Sequence, residues 1–304
     1  MEKNDILVIG AGIAGISAAL YASRSGMNVT VIDEVGCGGQ VLQIDSLENY
    51  PGVFPAVNGY DFMETAKKQA LTFGAEIIKA TVTSIDKKGN EFYAATSKGE
   101  FSASALILAT GAEHNMLDVK GEKEFASAGV SYCAVCDGPF FRNKTVTVIG
   151  GGDSAGTEAL YLANLAEKVH IIHRKPYFRM IKSISDRIFA NPKIEAHFSS
   201  VVQEIKGSGK VSAVQIENVI TKEVSDIQTD GVFIFAGMKP RTSLLEMLKK
   251  DAGGYIITDE KMGTLIPGLY IAGDVRSKPL RQIVTAASDG AIAAHSAAEY
   301  VKSL

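Results

Sequence analysis

The sequence predicts an α/β protein made of two nested three-layer domains, each with a small antiparallel β-meander. Three observations support this fold class. First, a continuous apolar strand followed by a glycine-rich turn and a helix occurs twice, starting near Ile6 and Val146. Second, each copy continues into another short strand, at 28–33 and at 168–172. Third, the chain has 304 residues, which is enough for two domains, since one hydrophobic core rarely grows past about 250–300 residues.

The remaining elements follow in chain order. Short apolar strands that run into glycine are predicted at 105–109, 232–236 and 269–272, and an alanine-rich stretch at 281–300 predicts a long helix. Alternating patterns at 76–85 with 91–95, and at 201–205 with 210–217, predict the two meanders. The chain is expected to cross between domains near 112–117 and 238–242, which gives the segments 1–113, 114–241 and 242–304.

Composition and charge exclude several classes of protein. Apolar residues make up 46% and charged residues 21% of the chain, as in well-buried globular proteins. The net charge of −3 gives no strong field for nucleic acid or a membrane surface. No apolar stretch approaches the ~20 residues of a membrane span, and nothing resembles a signal peptide. We therefore expect a cytoplasmic protein without nucleic-acid or membrane partners.

The first glycine turn predicts a nucleotide site. Gly10 makes the turn, Gly12 lets the backbone approach a pyrophosphate, and Gly15 lets helix and strand pack closely. Asp33 and Glu34 end the next strand, where a carboxylate accepts hydrogen bonds from ribose hydroxyls and repels a 2′-phosphate. This site is expected to bind a nucleotide with a free ribose, such as FAD. The alternative is a glycine turn without a ligand.

The second turn, at Gly150 to Gly152, has Ala155 in the place of the third glycine, which this motif tolerates. At the offset of Asp33 it carries the sequence His173-Arg174-Lys175, with Arg179 close behind. A basic cluster pairs with a 2′-phosphate through charge-assisted hydrogen bonds. The matched offset favours NADPH over NADH, whereas the alternative is a solvated basic loop.

Between the two turns lie Cys133 and Cys136, followed by Asp137. A Cys-x-x-Cys allows a small disulfide ring, and a neighbouring acid suits proton transfer in thiol–disulfide exchange, although Asp137 could instead cap a turn. A zinc site needs about four ligands, whereas Cys37 is the only other cysteine and no Cys/His pair has matching spacing, so zinc is disfavoured and no metal is predicted. Two inert buried cysteines are the other alternative. Cys37 is interpreted as a lone, non-catalytic thiol.

These residues together resemble the low-molecular-weight thioredoxin reductases, over essentially the whole chain. The resemblance rests on the stretches at 10–15, 38–40, 48–52, 109–112, 133–138, 150–155, 173–175, 272–275 and 281–282, and on the dithiol lying inside the second domain. One departure is Lys175, where the family usually has a second arginine. Lysine keeps the charge but loses the planar fork, so the preference for NADPH is expected to survive in a weaker form.

The resemblance implies two nested Rossmann-like three-layer nucleotide-binding domains, one for FAD at 1–113 and 242–304, and one for NADPH and the dithiol at 114–241. The implied FAD contacts are Gly10, Gly12, Ile13, Ala14, Gly15, Asp33, Glu34, Gly38, Gly39, Gln40, Asn49, Val82, Ala109, Thr110, Gly111, Gly273, Asp274, Arg281, Gln282 and Ile283. The implied NADPH contacts are Gly151, Gly152, Asp153, Ser154, His173, Arg174, Lys175 and Arg179. The catalytic residues are then Cys133, Cys136 and Asp137.

The implied activity is a thioredoxin-disulfide reductase that works as a homodimer. A hydride passes from NADPH to FAD, the electrons pass to the Cys133–Cys136 disulfide, and then to thioredoxin or a thioredoxin-like protein. One domain rotates between the half-reactions. Three alternatives remain: a reductase for a different protein disulfide, a flavin-bound redox sensor, and a ferredoxin–NADP reductase, which the dithiol disfavours.

Overall fold

The computed structural model describes residues 2–44, 46–126 and 128–304, without the side chains of Glu2, Lys3 and Cys136. The chain forms two compact units. Unit 1 comprises Met1–Glu113 and Lys239–Leu304, and unit 2 comprises His114–Met238. Unit 2 is therefore one continuous segment inserted into unit 1. It ends at Met238, whereas the sequence predicted that the second domain ends at residue 241.

The secondary structure is as follows in chain order. The strands are β1 (Glu2–Ile9), β2 (Val29–Asp33), β3 (Glu76–Lys79), β4 (Val82–Lys88), β5 (Glu91–Thr96), β6 (Gly99–Leu108), β7 (Ala112–His114), β8 (Val130–Ser131), β9 (Thr145–Ile149), β10 (Lys168–Ile172), β11 (Ile194–His197), β12 (Ser200–Gly207), β13 (Val211–Asn218), β14 (Val224–Gln228), β15 (Gly231–Ile234), β16 (Met238–Pro240) and β17 (Leu269–Ile271). The α-helices are α1 (Ile13–Arg24), α2 (Gly59–Thr72), α3 (Ala134–Asp137), α4 (Asp153–Leu165), α5 (Lys182–Ala190) and α6 (Ile283–Lys302).

Unit 1 is built on one sheet in the order β3-β2-β1-β6-β5-β4, with β17 also paired to β6. The pairs around β1 are parallel, whereas β4, β5 and β6 form an antiparallel meander. Alternate residues of β1 face two different cores, because successive side chains of a strand point to opposite faces. Ile6 and Val8 pack with α1 and α6, and Leu7 and Ile9 pack with residues such as Ile256. The sheet is thus the middle of three layers.

Helices α1 and α6 meet along small residues. A Cβ added at Gly290 of α6 would collide with the carbonyl oxygen of Ala14 in α1. Ala18 and Ala294 are both fully buried in the same core. Side chains of this size let the two helix backbones approach closely, which explains the alanine-rich composition of the last segment.

Unit 2 repeats the arrangement with a five-stranded parallel sheet in the order β11-β10-β9-β15-β8. Val146 and Val148 pack with α4 on one face. Ile149 and Ile172 pack on the other face with Val214 of a separate meander, β12-β13-β14. The predicted class of α/β domains with parallel sheets is confirmed.

Three local predictions differ from the structure. Residues 76–85 do not form one strand, because β3 pairs in parallel with β2 and ends at Lys79, and Ala80 and Thr81 lie outside the strands before β4 begins. The first meander is not a separate sheet, since the long strand β6 belongs to both the meander and the parallel part. Helices α2 and α5 were not predicted. None of the described helices has the length and apolar character that a bilayer crossing requires.

Candidate functional site

The first glycine turn joins β1 to α1. Gly10 has φ +105°, and a Cβ there would collide with the carbonyl oxygen of Ala109. A Cβ at Gly15 would collide with the carbonyl oxygen of Gly10, so only glycine fits both positions. At Gly12, in contrast, a Cβ would meet no heavy atom of the described residues within 4 Å. The start of α1 has no side-chain cap among the described residues, which leaves its N–H groups to an anion such as a pyrophosphate. The turn therefore fits the phosphates of FAD.

Asp33 holds this turn through its carboxylate. Its Oδ2 accepts a hydrogen bond from the Ala11 N–H at 2.8 Å. Its Oδ1 accepts from the N–H groups of Val35 at 3.0 Å and Gly36 at 2.8 Å. The sequence interpretation gave Asp33 a ribose contact, and the structure commits most of its acceptor capacity to backbone donors. Asp33 therefore fixes the two loops at this edge of the sheet, and its ribose contact stays a prediction.

Glu34 lies beside Arg241, which the sequence reasoning missed. The Arg241 Nη1 is 3.1 Å from the Glu34 Oε1, and the Arg241 Nε is 3.5 Å from the Glu113 Oε2. The carbonyl oxygen of Arg241 accepts a hydrogen bond from Thr110 Oγ1 at 2.7 Å. All three charged groups are exposed, so the ion pairs contribute little to stability, and the single arginine offsets one of the two negative charges at this edge.

The predicted loop at 38–40 packs against the glycine turn. The Gly38 N–H donates to the carbonyl oxygen of Ala11 at 2.9 Å. Gly39 has φ +58°, and a Cβ there would lie 3.1 Å from the Gly12 Cα. Gln40 Nε2 donates to the carbonyl oxygen of Ala112 at 2.8 Å. The structure thus brings these predicted residues together.

The C-terminal part of unit 1 contributes a buried charge network centred on Asp289 of α6. Asp289 Oδ2 accepts hydrogen bonds from the Gly273 N–H at 3.1 Å and Lys278 Nζ at 3.0 Å, and Oδ1 accepts from Arg276 Nη1 at 2.9 Å. The Lys278 side chain is only 4% exposed and also lies 3.1 Å from Asp274 Oδ1. The sequence reasoning missed Arg276, Lys278 and Asp289. An acid inside an apolar, alanine-rich helix was the available signal.

The predicted residues around the start of α6 are also held. The Arg281 guanidinium lies 3.6 Å from the ring centroid of Tyr255, a cation–π contact. Asn49 Nδ2 donates to Gln282 Oε1 at 3.1 Å, and Gln282 in turn caps α6, which starts at Ile283. The predicted contact residue Val82 is not part of this group, because its partly buried side chain packs against the second core of unit 1.

The second glycine turn joins β9 to α4 and repeats the features of the first. Gly150 has φ +150°, and a Cβ at Gly152 would meet no heavy atom of the described part of the chain within 4 Å. The first turn of α4 has no side-chain cap from the described residues. Asp153 and Ser154 open the helix and are exposed. The backbone here fits a pyrophosphate for the same reason as in unit 1.

The basic loop after β10 returns to this second turn. The Arg179 N–H donates to the carbonyl oxygen of Gly151 at 2.8 Å, and the Ile181 N–H donates to Asp153 Oδ1 at 2.8 Å. Arg174, Lys175 and Arg179 are exposed. The loop that carries these three cations thus contacts the second glycine turn through its backbone, an arrangement that suits the predicted recognition of a 2′-phosphate.

His173 has a different role from its basic neighbours. Its ring is only 4% exposed, and it occupies the space into which a Cβ at Gly151 would project. Burial lowers the pKa of His173, and the nearby cations Arg179 and Arg174 lower it further. The imidazole is therefore neutral at pH 7 and supports the turn instead of adding charge.

The dithiol lies at the short helix α3. Cys133 is half-buried and disulfide-bonded. Its N–H donates to Ser131 Oγ at 3.0 Å, and its carbonyl oxygen accepts from the Asp137 N–H at 3.2 Å. The side chain of Cys136 lies outside the described residues, so the pairing of Cys133 with Cys136 stays a prediction. A Cβ at Gly138 would lie 3.1–3.3 Å from side chains at the C-terminal end of α4, which places the dithiol turn against that helix.

Tyr132, the residue directly before the dithiol, is anchored by the carboxylate of Glu122. Its hydroxyl donates to Glu122 Oε1 at 2.6 Å. Glu122, which is 1% exposed, also accepts from the N–H groups of Leu117 at 2.9 Å and Asp118 at 2.7 Å. A single buried carboxylate thus links Leu117 and Asp118, near the start of unit 2, to Tyr132, which directly precedes Cys133.

The thiol of Cys37 has low reactivity. Burial raises the pKa of its thiol to about 11, and the carboxylates of Glu64 and Asp33 raise it while Lys67 lowers it. The thiolate is the nucleophile, so a thiol with this pKa is unreactive near pH 7.

Two phosphate-fitting turns and a disulfide in a nested α/β chain define a nucleotide-dependent disulfide oxidoreductase. The model of the family described as pyridine nucleotide-disulphide oxidoreductase matches residues 4–290. The thioredoxin reductase of Treponema pallidum (strain Nichols) is 48% identical over 300 residues, covering 99% of this chain and 98% of that protein. The thioredoxin reductase of Listeria monocytogenes serovar 1/2a (strain EGD-e) is 43% identical over 303 residues, covering 99% and 94%.

The chain is also similar to solved structures of thioredoxin reductases. The Lactococcus lactis thioredoxin reductase superposes with a TM-score of 0.96 at 41% identity, covering 99% of this chain and 100% of that one. The T. acidophilum thioredoxin reductase gives a TM-score of 0.93 at 37% identity, covering 98% and 99%. The chain belongs to the thioredoxin reductases of the pyridine nucleotide-disulphide oxidoreductase family.

The chain is accordingly a flavoprotein oxidoreductase of a family that uses FAD and NADPH. The resemblance, the class of enzyme and the two cofactors predicted from the sequence are confirmed. The individual contact residues stay predictions.

Proposed function

We propose that this chain reduces a disulfide of thioredoxin or a thioredoxin-like protein with electrons from NADPH. The observation that carries the proposal is the disulfide-bonded Cys133 in the same unit as the cationic loop and the second glycine turn. The relatives at 41–48% identity are named thioredoxin reductases, which supports the choice of acceptor.

Each nucleotide has a defined set of residues in the proposal. In unit 1, the Gly10–Gly15 turn binds the pyrophosphate of FAD, and Asp289 positions the 273–278 segment through its hydrogen bonds. In unit 2, the Gly150–Gly152 turn binds the pyrophosphate of NADPH. The 2′-phosphate is bound by Arg174, Lys175 and Arg179. When bound, FAD supplies the redox chemistry that links NADPH to a disulfide.

The chain's own chemistry takes place at the dithiol. The Cys133–Cys136 bond opens as it takes up two electrons and two protons, and Asp137 donates one of the protons. The Cys136 thiolate then attacks a sulfur of the partner's disulfide, whose other sulfur leaves as a thiol. Cys133 attacks the resulting mixed disulfide, so the ring re-forms and the partner is released as a dithiol.

Trapping tests the assignment of Cys136 as the attacking residue. In Cys133→Ser, Cys136 remains but the resolving thiol is absent, so a stable mixed disulfide with a thioredoxin is expected on non-reducing electrophoresis. Cys136→Ser should give no such adduct. The reverse pattern would assign the attack to Cys133.

We also infer a rotation of one unit during turnover. The dithiol and the NADPH turn belong to unit 2, and both must exchange electrons with a flavin held by unit 1. Gly138 packs at the C-terminal end of α4, while the glycine turn lies at its N-terminal end. A helix of 13 residues separates such points by roughly 20 Å. The hinges are expected at 112–117 and 238–242, where β7 and β16 pair with each other.

An anaerobic NADPH titration followed by a thioredoxin-coupled thiol assay tests the function. NADPH should bleach the flavin, and thiols should then form in proportion to the NADPH consumed. Bleaching without reduction of thioredoxin would favour another disulfide acceptor. No bleaching would overturn the NADPH-dependent reaction and favour a redox sensor.

A homodimer in the cytoplasm is part of the same proposal. It is supported by the family resemblance stated from the sequence. Light scattering should give twice the mass of one chain, and a monomer at micromolar concentration would contradict the proposed dimer.

A further inference from the structure

Two histidines and a glutamate meet at the edge of the unit 2 sheet, on residues that the reductase reaction does not use. His170 lies on β10, and Glu195 and His197 lie on the edge strand β11. The parallel register pairs His170 with Glu195, and His197 follows Glu195 by two residues. Side chains two residues apart on a strand share a face, so all three project from the same side of the sheet.

The nitrogen and oxygen atoms of this cluster are close together. His170 Nδ1 is 3.0 Å from His197 Nε2. The Glu195 carboxylate is 3.9 Å from His170 Nδ1 through Oε2 and 3.7 Å from His197 Nε2 through Oε1. In a tetrahedral site with metal–ligand bonds of about 2.0–2.2 Å, ligand atoms lie roughly 3.3–3.5 Å apart. The three observed separations bracket that spacing, so small side-chain movements would complete it.

We propose that His170, Glu195 and His197 bind a divalent transition-metal ion such as Zn²⁺. Two imidazole nitrogens and one carboxylate oxygen suit zinc, cobalt, nickel and copper, whereas calcium and magnesium prefer oxygen ligands. Three protein ligands leave a fourth position for water. The site goes beyond the proposed reductase function and does not depend on it.

The protonation states also suit a metal. Burial lowers the pKa of His170 to about 4 and also lowers that of His197, so both imidazoles are neutral. In the metal-free pair one of the facing nitrogens carries the proton of the short contact. On metal binding that proton moves to the far nitrogen of the same ring, which frees both facing lone pairs without changing the charge of either imidazole.

Lys168 is the built-in competitor for the metal. Its Nζ lies 2.5 Å from Glu195 Oε2, and this contact lowers the pKa of Glu195 and keeps the carboxylate ionised. The ammonium occupies one oxygen and leaves Oε1 facing His197. Removing the Lys168 charge should therefore strengthen metal binding, an effect that a purely structural histidine pair would not show.

Equilibrium dialysis of the oxidised holoenzyme against Zn²⁺, after chelator treatment, tests the proposal. The oxidised state keeps the dithiol from acting as a ligand. We expect one equivalent per chain, and a visible spectrum of four-coordinate Co²⁺ when cobalt replaces zinc. His197→Gln and Glu195→Gln should each weaken binding at least about tenfold, because loss of even an outer-shell partner costs 10–100-fold. Lys168→Gln should bind several-fold more tightly.

His295→Gln is the matched control, because His295 is an exposed histidine that also lies near a glutamate, Glu299, at 3.4 Å. Its zinc binding should equal that of the wild type. Circular dichroism of each variant shows whether it is folded, and Zn²⁺ should raise the Tm of the wild type but not of Glu195→Gln. The proposal is overturned if the wild type retains no zinc, or if His197→Gln and His295→Gln retain equal amounts.

Discussion

Asp33 shows how a residue located by a pattern can carry an additional role. The spacing from Gly10 correctly identified an acid at the end of β2. It gave no information on the loop that follows, in which Gly36 has φ +110° and folds back so that its N–H reaches the carboxylate. Such a contact depends on the three-dimensional path of the backbone, which residue spacing alone does not determine.

Replacing Asp33 by Asn tests the role of its carboxylate. One acceptor oxygen becomes an NH₂ group, which leaves at least one of the three backbone donors without a partner. The free energy of unfolding should fall by about 1–3 kcal/mol, measured by urea denaturation, and the purified protein should retain less flavin. The control is Glu34→Gln, whose exposed ion pair should change stability by less than about 1 kcal/mol. Equal stability of the two variants would contradict the assignment.

The double variant Arg174→Ala with Arg179→Ala tests the basic loop. The ratio of kcat/KM for NADPH to that for NADH should fall at least about tenfold, because a hydrogen bond to a charged group contributes about 1.5–3 kcal/mol. Lys182→Ala is the control, since Lys182 is exposed and already paired with Asp186 at 2.6 Å. If the ratio does not change in the double variant, the loop does not read the 2′-phosphate.

The thiol of Cys37 gives a prediction for pH. A pKa raised to about 11 favours the neutral thiol, so alkylation of the oxidised enzyme by iodoacetamide should be slow at pH 8 and rise as the pH approaches 11. At pH 8 roughly one thiol in a thousand is ionised, against about a quarter for an ordinary cysteine. Cys37→Ser supplies the blank. Rapid labelling at pH 8 would show that the thiol is less buried than described.

At the scale of elements, helix α6 has two structural roles. Its small residues pack against α1, and its one buried acid, Asp289, collects the backbone and cations of the 273–278 segment. The helix was predictable because alanine content and the lack of proline are local properties. The charge network was not, because its members are brought together only when β17 pairs with β6.

Replacing Asp289 by Ala should be strongly destabilising. Lys278 is almost fully buried, and removing one partner of a buried charge costs about 3–5 kcal/mol; the remaining contact to Asp274 places the expected loss near the lower value. Urea unfolding and flavin retention measure the effect. Glu299→Ala on the exposed face of the same helix is the control. A loss below about 1 kcal/mol would mean that the network does not stabilise the unit.

The predictable elements were those with local signals. Strands β1, β9, β15 and β17 are apolar runs that end at glycine, and both glycine turns have the spacing of their motif. Strand β3 was misassigned because its alternating residues suit a meander, while its partner is decided by parallel pairing with β2. Helices α2 and α5 are polar overall and bury few residues, Gly59, Met63 and Ala70 in α2 and Ile188 in α5, so their sequences carry only a weak signal of a buried helix.

At the scale of the whole molecule, the nesting of the two units was predictable because the strand–turn–helix pattern is repeated within one chain. The dithiol precedes the second repeat in the chain, and the family resemblance placed it in the second domain, which corresponds to unit 2. The Glu122 carboxylate could not be assigned from sequence, because its three donors converge only in the folded unit.

A crosslink between the units tests the inferred rotation. A pair of introduced cysteines, one in each unit, should slow at least one of the two half-reactions when oxidised and restore it when reduced. Stopped-flow measurement separates flavin reduction by NADPH from transfer to the dithiol. Two half-reactions at full speed in the crosslinked protein would rule out rotation. Two cysteines placed within unit 2 are the control and should leave both rates unchanged.

The insertion of unit 2 also sets an order of events during synthesis on the ribosome. Unit 2 is complete when Met238 has emerged, but unit 1 still lacks β17 and α6, which end at Lys302. At about 5–20 residues per second, these last roughly 60 residues take on the order of 3–12 s. During that interval the alanine face of α1 and the β17-binding edge of β6 have no partner from the same chain. At this stage unit 2 is complete while unit 1 still exposes unpaired core surface. A chaperone would have the most apolar surface to bind at this point.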